Sequence, residues 1–136
     1  TRVLRYILYK KRSEYEVRKK FDKVIEPELL EDIIEYLKEA KYINDKEYIE
    51  RAINNFIILK NLSQREIQYK LIAKGLKKTD IEDYMYENKE MLEEYEIKSA
   101  ENIIYKKSAS MEDDEIRQFL LKKGYKTENI NKAFDN

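Results

Sequence analysis

Apolar and polar positions along this chain are spaced as in amphipathic helices. From Asp45 to about Lys60 the apolar residues fall at Ile49, Ala52, Ile53, Phe56 and Ile57. That is the i, i+3, i+4, i+7, i+8 stripe of a helix with one buried face. Ser63 follows, with Glu66 three residues on. Ser-x-x-Glu is a capping box, in which each side chain satisfies a backbone N–H left open by the first helical turn. Ile67 and Leu71 carry this second helix inward. Gly75 ends it, because glycine takes a positive φ without steric cost. Thr79 or Asp80 is expected to cap a third helix whose stripe is Ile81, Tyr84 and Met85. Two short helices bury too little between them, so a three-helix unit is the smallest sensible structure.

The same pattern occurs three times. Val17 and Phe21, Ile67 and Leu71, and Ile116 and Leu120 place apolar residues at i and i+4 with polar side chains between. Leu30-Glu31-Asp32-Ile33-Ile34 aligns with Ile81-Glu82-Asp83-Tyr84-Met85 and with Ile130-Asn131-Lys132-Ala133-Phe134, at offsets of 49 to 51 residues. Lys74-Gly75-Leu76 matches Lys123-Gly124-Tyr125, whereas the first copy reads Lys23-Val24-Ile25. A fixed period of this length is the mark of stacked supersecondary units. The expected fold is all-α: three tandem three-helix repeats, residues 1–44, 45–87 and 88–136, in an elongated, curved array.

Repeat one is expected to hold helices near 1–12, 14–23 and 27–40. A second capping box starts at Ser13 with Glu16, and Pro27 opens the third helix, where a first-turn proline is tolerated. Leu29, Leu30, Ile33, Ile34 and Leu37 should face inward. Asn44-Asp45 caps the opening helix of repeat two. Repeat three should open with a long helix near 89–107, with Leu92, Tyr95, Ala100, Ile103 and Ile104 inward. Tyr36, Tyr48, Tyr84 and Tyr95 lie on or beside apolar stripes and are expected to pack. Tyr9, Tyr15, Tyr42, Tyr69 and Tyr86 are expected to be partly exposed.

Composition supports helices: Gly (2) and Pro (1) are scarce in 136 residues, and 41% of residues are charged. The chain has no Cys and no His. It therefore has no disulfide framework or thiolate, and it lacks the commonest metal ligand and general base. No calcium-loop motif occurs. With no apolar run long enough for a membrane span, the expected location is the cytoplasm. The chain opens at Thr1 inside a helical pattern, so an N-terminally truncated form is expected.

Formal net charge is zero, but the charge is banded. Residues 1–23 carry +6, 24–55 carry −5, 56–78 carry +5, 79–101 carry −7 and 102–136 carry +1. Acidic residues, such as Glu31, Asp32 and Glu35, gather mainly on the third helices, where they suit helix dipoles and Glu–Lys pairing. Basic residues gather on the second helices and their flanks. They are Lys10, Lys11, Arg12, Arg18, Lys19 and Lys20; Arg65, Lys70, Lys74, Lys77 and Lys78; and Lys106, Lys107, Arg117, Lys122 and Lys123. In stacked repeats they form a ladder able to meet acidic protein or phosphate. A solvated lysine-rich face is the plainer account of the same residues.

Tyr42-Ile43-Asn44-Asp45, Tyr48-Ile49 and Ser63-x-x-x-Ile67-x-x-x-Leu71-x-x-Lys74-Gly75 resemble the central signature of the RecX family of bacterial recombinase regulators. Leu4-Arg5-Tyr6-Ile7-Leu8 with Arg12-Ser13 and Val17 resembles that family's first repeat. Ile116-Arg117, Phe119-Leu120 and Lys123-Gly124-Tyr125 resemble its last. The likeness covers nearly the whole chain. It departs at Val24, where the glycine is missing, and before Thr1, where family members often have a further segment.

The resemblance implies a monomeric all-α protein that binds the RecA recombinase filament along its groove. By the same resemblance it suppresses ATPase, strand-exchange and coprotease activities. It implies no enzymatic activity, no cofactor and no membrane. Some members also bind DNA, so single- or double-stranded DNA is a further candidate partner. The alternative is a stand-alone helical nucleic-acid-binding module, since helix-turn-helix geometry fits the second and third helices of each repeat. Zero net charge and the acidic bands between basic ones count against it.

Overall fold

A computed structural model describes residues 2–136. Among the described residues there are nine helices and no strands: α1 (Arg2–Tyr9), α2 (Glu14–Phe21), α3 (Pro27–Glu39), α4 (Asp45–Leu59), α5 (Gln64–Ala73), α6 (Lys78–Glu87), α7 (Lys89–Lys107), α8 (Asp113–Lys123) and α9 (Thr127–Asp135). A helix start at Thr1 lies outside the described residues. α1 ends at Tyr9, short of the expected residue 12. The Arg12 side chain folds back there: Nε donates to the Tyr6 carbonyl at 3.2 Å, and the guanidinium lies 3.9 Å from the Tyr6 ring centroid. That satisfies an open carbonyl in the last turn.

The caps follow the sequence closely. Ser13 with Glu16 and Ser63 with Glu66 form both reciprocal hydrogen bonds of the capping box. The Asn44 side chain accepts from the Glu47 N–H, and Pro27 occupies the first turn of α3. One expectation fails. α6 starts at Lys78 after an N-cap Lys77 that makes no side-chain cap bond. Thr79 and Asp80 therefore sit inside the first turn, where Asp80 still favours the dipole.

Three apolar cores form in sequence. The first joins Val3, Ile7, Val17, Phe21, Leu30, Ile34, Leu37 and Ile43. The second joins Ile49, Ile53, Ile67, Leu71, Leu76 and Ile81 with Leu92 and Tyr95 of α7. The third joins Ala100, Ile103, Ile116, Leu120, Tyr125, Ile130 and Ala133. Each buried Ile or Leu contributes about 1.5–3 kcal/mol. α7 serves two cores, its first half closing the second and its second half building the third.

Two expectations on α3 are corrected: Leu29, expected inward, and Tyr36, expected to pack, are exposed. Leu30, Ile34 and Leu37 make the buried stripe. Leu29, Ile33 and Tyr36 form a neighbouring i, i+4, i+7 stripe turned aside from it, and Ile33 and Tyr36 line an open apolar groove with Val3, Leu4 and Ile25. Tyr95 is buried, Tyr48 and Tyr84 are half-buried against the second core, and the five tyrosines expected at the surface are exposed.

Gly75 and Gly124 take φ of +83° and +98°. Each ends its helix with paired bonds: Gly75 N–H to Ile72 O and Leu76 N–H to Leu71 O, then Gly124 N–H to Leu121 O and Tyr125 N–H to Leu120 O. This is the Schellman arrangement. α2 has no such turn. It stops at Phe21, whose carbonyl accepts from Val24 and Ile25, and Val24 stands exposed.

Candidate partner-binding surface

The three-helix groups meet through one device used twice. The first backbone N–H of α2, on Glu14, donates to Asp45 Oδ1 of α4 at 3.1 Å. The first N–H of α5, on Gln64, donates to Glu96 Oε1 of α7 at 2.9 Å. In each case a carboxylate on the next group's first helix caps the preceding group's second helix. The glycines complete the contact. A Cβ on Gly75 would fall 2.0 Å from Tyr15 Cγ, and one on Gly124 would fall 2.9 Å from Arg65 Cβ. Glycine is thus needed twice over, for its φ and for the close approach.

The second junction carries much more. Glu96 is fully buried and also accepts from the Lys126 N–H and the Asn129 amide. Glu93 joins Lys126, Asn129 and Gln64. Burial raises the Glu93 carboxyl, but these hydrogen bonds outweigh it and hold the group below its ordinary range. Tyr95 and Ser99 donate to the Leu62 and Lys60 carbonyls, and Ser99 also meets the Tyr125 hydroxyl at 2.7 Å. Burial pushes the Tyr125 phenol up, so it stays a neutral partner. Ser63 Oγ donates to the Lys123 carbonyl, and Lys123 pairs with Glu66.

The first junction is simpler. Lys11 pairs with Glu47 across it at 3.4 Å, and within the first group Lys38 pairs with Glu14 at 2.7 Å. Burial raises Glu14, but bonds from Lys38 and Arg18 hold it below its ordinary range. Burial holds Asp45 above its own range, only partly offset by the Glu14 N–H. Tyr48 is pushed up to about 12, chiefly by burial and then by the Glu16 carboxylate.

The sixteen basic-ladder residues divide by surroundings. Arg18 grips Glu31 through both terminal nitrogens at 2.8 Å and reaches Glu14 through Nε, which raises its own pKa. Lys11 and Lys123 are also ion-paired. Arg12 lies on Tyr6, Lys107 on Phe119, and Arg117 on Phe134 while bonding Asn131. Lys19, Lys20 and Lys74 come together in a groove at the first junction, beside Tyr6 and Tyr15. Arg65 lines the matching groove at the second junction with Gln64, Gln68 and Lys126. Lys10, Lys70, Lys77, Lys78, Lys106 and Lys122 are exposed.

Among the described residues no group of His, Cys, Asp or Glu is placed to hold a metal ion, and no helix is long and apolar enough to cross a membrane. Sequence reasoning missed the junction carboxylates. The available signal was placement: Glu96 follows Leu92 by four residues and so shares the inward face of α7.

The described residues thus build three helical cores in sequence, joined at two carboxylate-capped junctions. The chain is 32% identical over 138 residues to Regulatory protein RecX of Staphylococcus carnosus (strain TM300), covering 98% of this chain and 51% of that protein. It is 30% identical over 138 residues to Regulatory protein RecX of Streptococcus pneumoniae (strain 70585), covering 98% of this chain and 53% of that protein. The chain is thus similar to RecX regulatory proteins along nearly its whole length, and it spans about half the length of these relatives. No protein-family model matches. The crystal structure of RecX from Lactobacillus salivarius has the same fold, with a TM-score of 0.80 at 24% identity over 98% of this chain and 90% of that one. A second RecX crystal structure also gives 0.80, at 23% identity over 99% and 70%.

Proposed function

We propose that this chain binds the RecA–DNA filament along its groove and inhibits the recombinase's ATPase, strand-exchange and coprotease activities by occupying space, with no chemistry of its own. The observation that carries this reading is the agreement with regulatory RecX proteins across 98% of the chain. Residues 1–44, 45–87 and 88–136 act as three stacked units of an elongated, curved monomer in the cytoplasm. Exposed cations of the ladder meet acidic groove walls, and contacts spread over three units strengthen one another without a single strong site.

The cluster of Lys19, Lys20 and Lys74 beside two tyrosines favours a second reading, direct binding of single-stranded DNA by charge and base stacking. One experiment separates the two. RecA on single-stranded DNA is followed for ATP hydrolysis while the chain is titrated, with naked-DNA binding measured alongside. Inhibition at sub-stoichiometric chain, with weak binding to DNA alone, is expected. Unchanged hydrolysis with tight, salt-sensitive DNA binding would replace the filament reading with the nucleic-acid one.

A further inference from the structure

Among the described residues, six large hydrophobic side chains are more than 60% exposed: Leu8 67%, Tyr9 82%, Ile58 74%, Leu59 63%, Tyr86 71% and Tyr105 83%. Five of the six sit at the same place in the repeat. Leu8 and Tyr9 end α1, Ile58 and Leu59 end α4, and Tyr105 lies in the last turn of α7. The offset from Leu8-Tyr9 to Ile58-Leu59 is 50 residues, the period of the fold itself. Isolated exposed apolar residues are ordinary, but a recurrence at one structural position is not.

Each of these knuckles is followed by lysine, and its own stretch of chain has no acidic residue. Lys10 and Lys11 follow the first, Lys60 the second, and Lys106 and Lys107 the third. No Asp or Glu occurs in residues 2–13, 51–65 or 102–111. The second and third knuckles also lie on one side of the molecule. Ser99 and Asn102 of α7 reach the Lys60 carbonyl just past the α4 knuckle. Tyr105 lies one turn beyond Asn102 on the same face of α7. Lys11, just past the α1 knuckle, pairs with Glu47 in the first turn of α4, so the α1 knuckle stands beside the other end of α4 and continues the series along the chain.

We infer that the C-terminal ends of the three first helices form one interaction edge, and that it docks on an apolar protein surface rimmed by acidic residues. This rests on the filament reading and names which side of the chain meets the protein. Charge complementarity sets the rim chemistry, since lysine follows every knuckle and the nearby Glu47 is already paired with Lys11. The apolar side chains identify the partner as protein. Phosphates would take the lysines but leave Leu8, Ile58 and Leu59 with nothing to bury against, and aliphatic side chains do not stack on bases as aromatic ones do. Partly desolvated Tyr and Leu at the centre with lysines around them is the anatomy of a protein interface.

The test uses the whole chain carrying Ile58→Gln, Leu59→Gln and Tyr105→Gln, which keeps every charge. A second variant adds Leu8→Gln and Tyr9→Gln, and a third carries Lys19→Ala, Lys20→Ala and Lys74→Ala. Binding is measured to RecA filaments on single-stranded DNA and to that DNA alone, with thermal unfolding as a check on folding. The first variant is expected to bind filament at least about tenfold more weakly. The second is expected to lose more, while both bind naked DNA like the parent and keep its unfolding midpoint. Filament binding within twofold of the parent in the glutamine variants would overturn the edge. An equal loss on naked DNA would also overturn it, by making the edge a nucleic-acid contact. Failure of the parent chain itself to bind filament overturns the filament reading and the edge with it. In the third variant, filament loss exceeding that of the glutamine variants would move the protein contact to the junction groove.

Discussion

The two junctions of this chain share a register and differ in chemistry. Both cap a second helix with a carboxylate from the next first helix, and both press a glycine turn against the start of that second helix. At the first junction the carboxylate is a half-buried aspartate serving one N–H. At the second it is a fully buried glutamate serving two N–H groups and an amide, inside a network that also holds Glu93, Ser99 and Tyr125. A geometry can therefore be kept while its depth changes. The second junction ties α4–α6 to α7–α9 firmly, and α7 reinforces this by feeding both cores. The first leaves α1–α3 held to α4 by fewer polar bonds.

Glu96→Leu offers the largest test of that difference. It strands the Gln64 and Lys126 N–H groups and Asn129 in a buried site, and should cost about 3–5 kcal/mol in urea unfolding. Asp45→Leu strands a single N–H near water and should cost about 1 kcal/mol. Equal losses would erase the contrast between the junctions. The glycines come next, and here the order reverses. Gly75→Ala places a methyl against the Tyr15 ring and strains φ, for about 2–4 kcal/mol. Gly124→Ala meets Arg65 Cβ at a wider 2.9 Å and should cost about 1–2 kcal/mol.

Acid titration should show smaller effects. Glu14 and Glu93 are held below their ordinary 4.5, so the unfolded state binds more protons in that window. Their stabilisation is present above pH 4.5 and is lost as pH falls through the lower folded values. Glu14→Gln and Glu93→Gln should each flatten the acid limb by less than about 1 kcal/mol, since both groups are partly solvated. Asp45 has the opposite sign. Its folded pKa lies above the unfolded one, so its burial destabilises the fold as pH rises through that window, and Asp45→Asn should remove that loss. The smallest effect is expected at Lys70 or Lys122. Changing either exposed lysine to Ala should move stability by no more than about 0.5 kcal/mol.

Much of the fold was legible because its signals are local. Helical stripes, the Ser13 and Ser63 capping boxes, Pro27 and the two glycines each act within a few residues. The errors came where a local rule met a tertiary one. Leu29 and Tyr36 are apolar but lie a step around α3 from the stripe that packs. Thr79 and Asp80 are good capping residues, yet the chain turns at Lys77. Val24 lacks glycine because α2 stops early, without the left-handed turn that meets a preceding helix at the other two sites. The binding surface was legible only as charge. Sequence placed the cations but could not show that Arg18 is consumed by Glu14 and Glu31 or Lys123 by Glu66. Nor did it show that Ile58 and Leu59, which continue an apolar run, emerge into water at the end of α4. Exposure depends on what the next helix covers, and that contact joins residues about forty apart in the chain.

Hydrogen exchange on the chain, free and bound to RecA filaments on single-stranded DNA, tests the account most directly. It predicts new protection at the three first-helix ends, around residues 8–12, 57–61 and 104–108, with α3 unchanged. Protection confined to the second helices and the Lys19–Lys20–Lys74 groove, or none on adding filament, would contradict it.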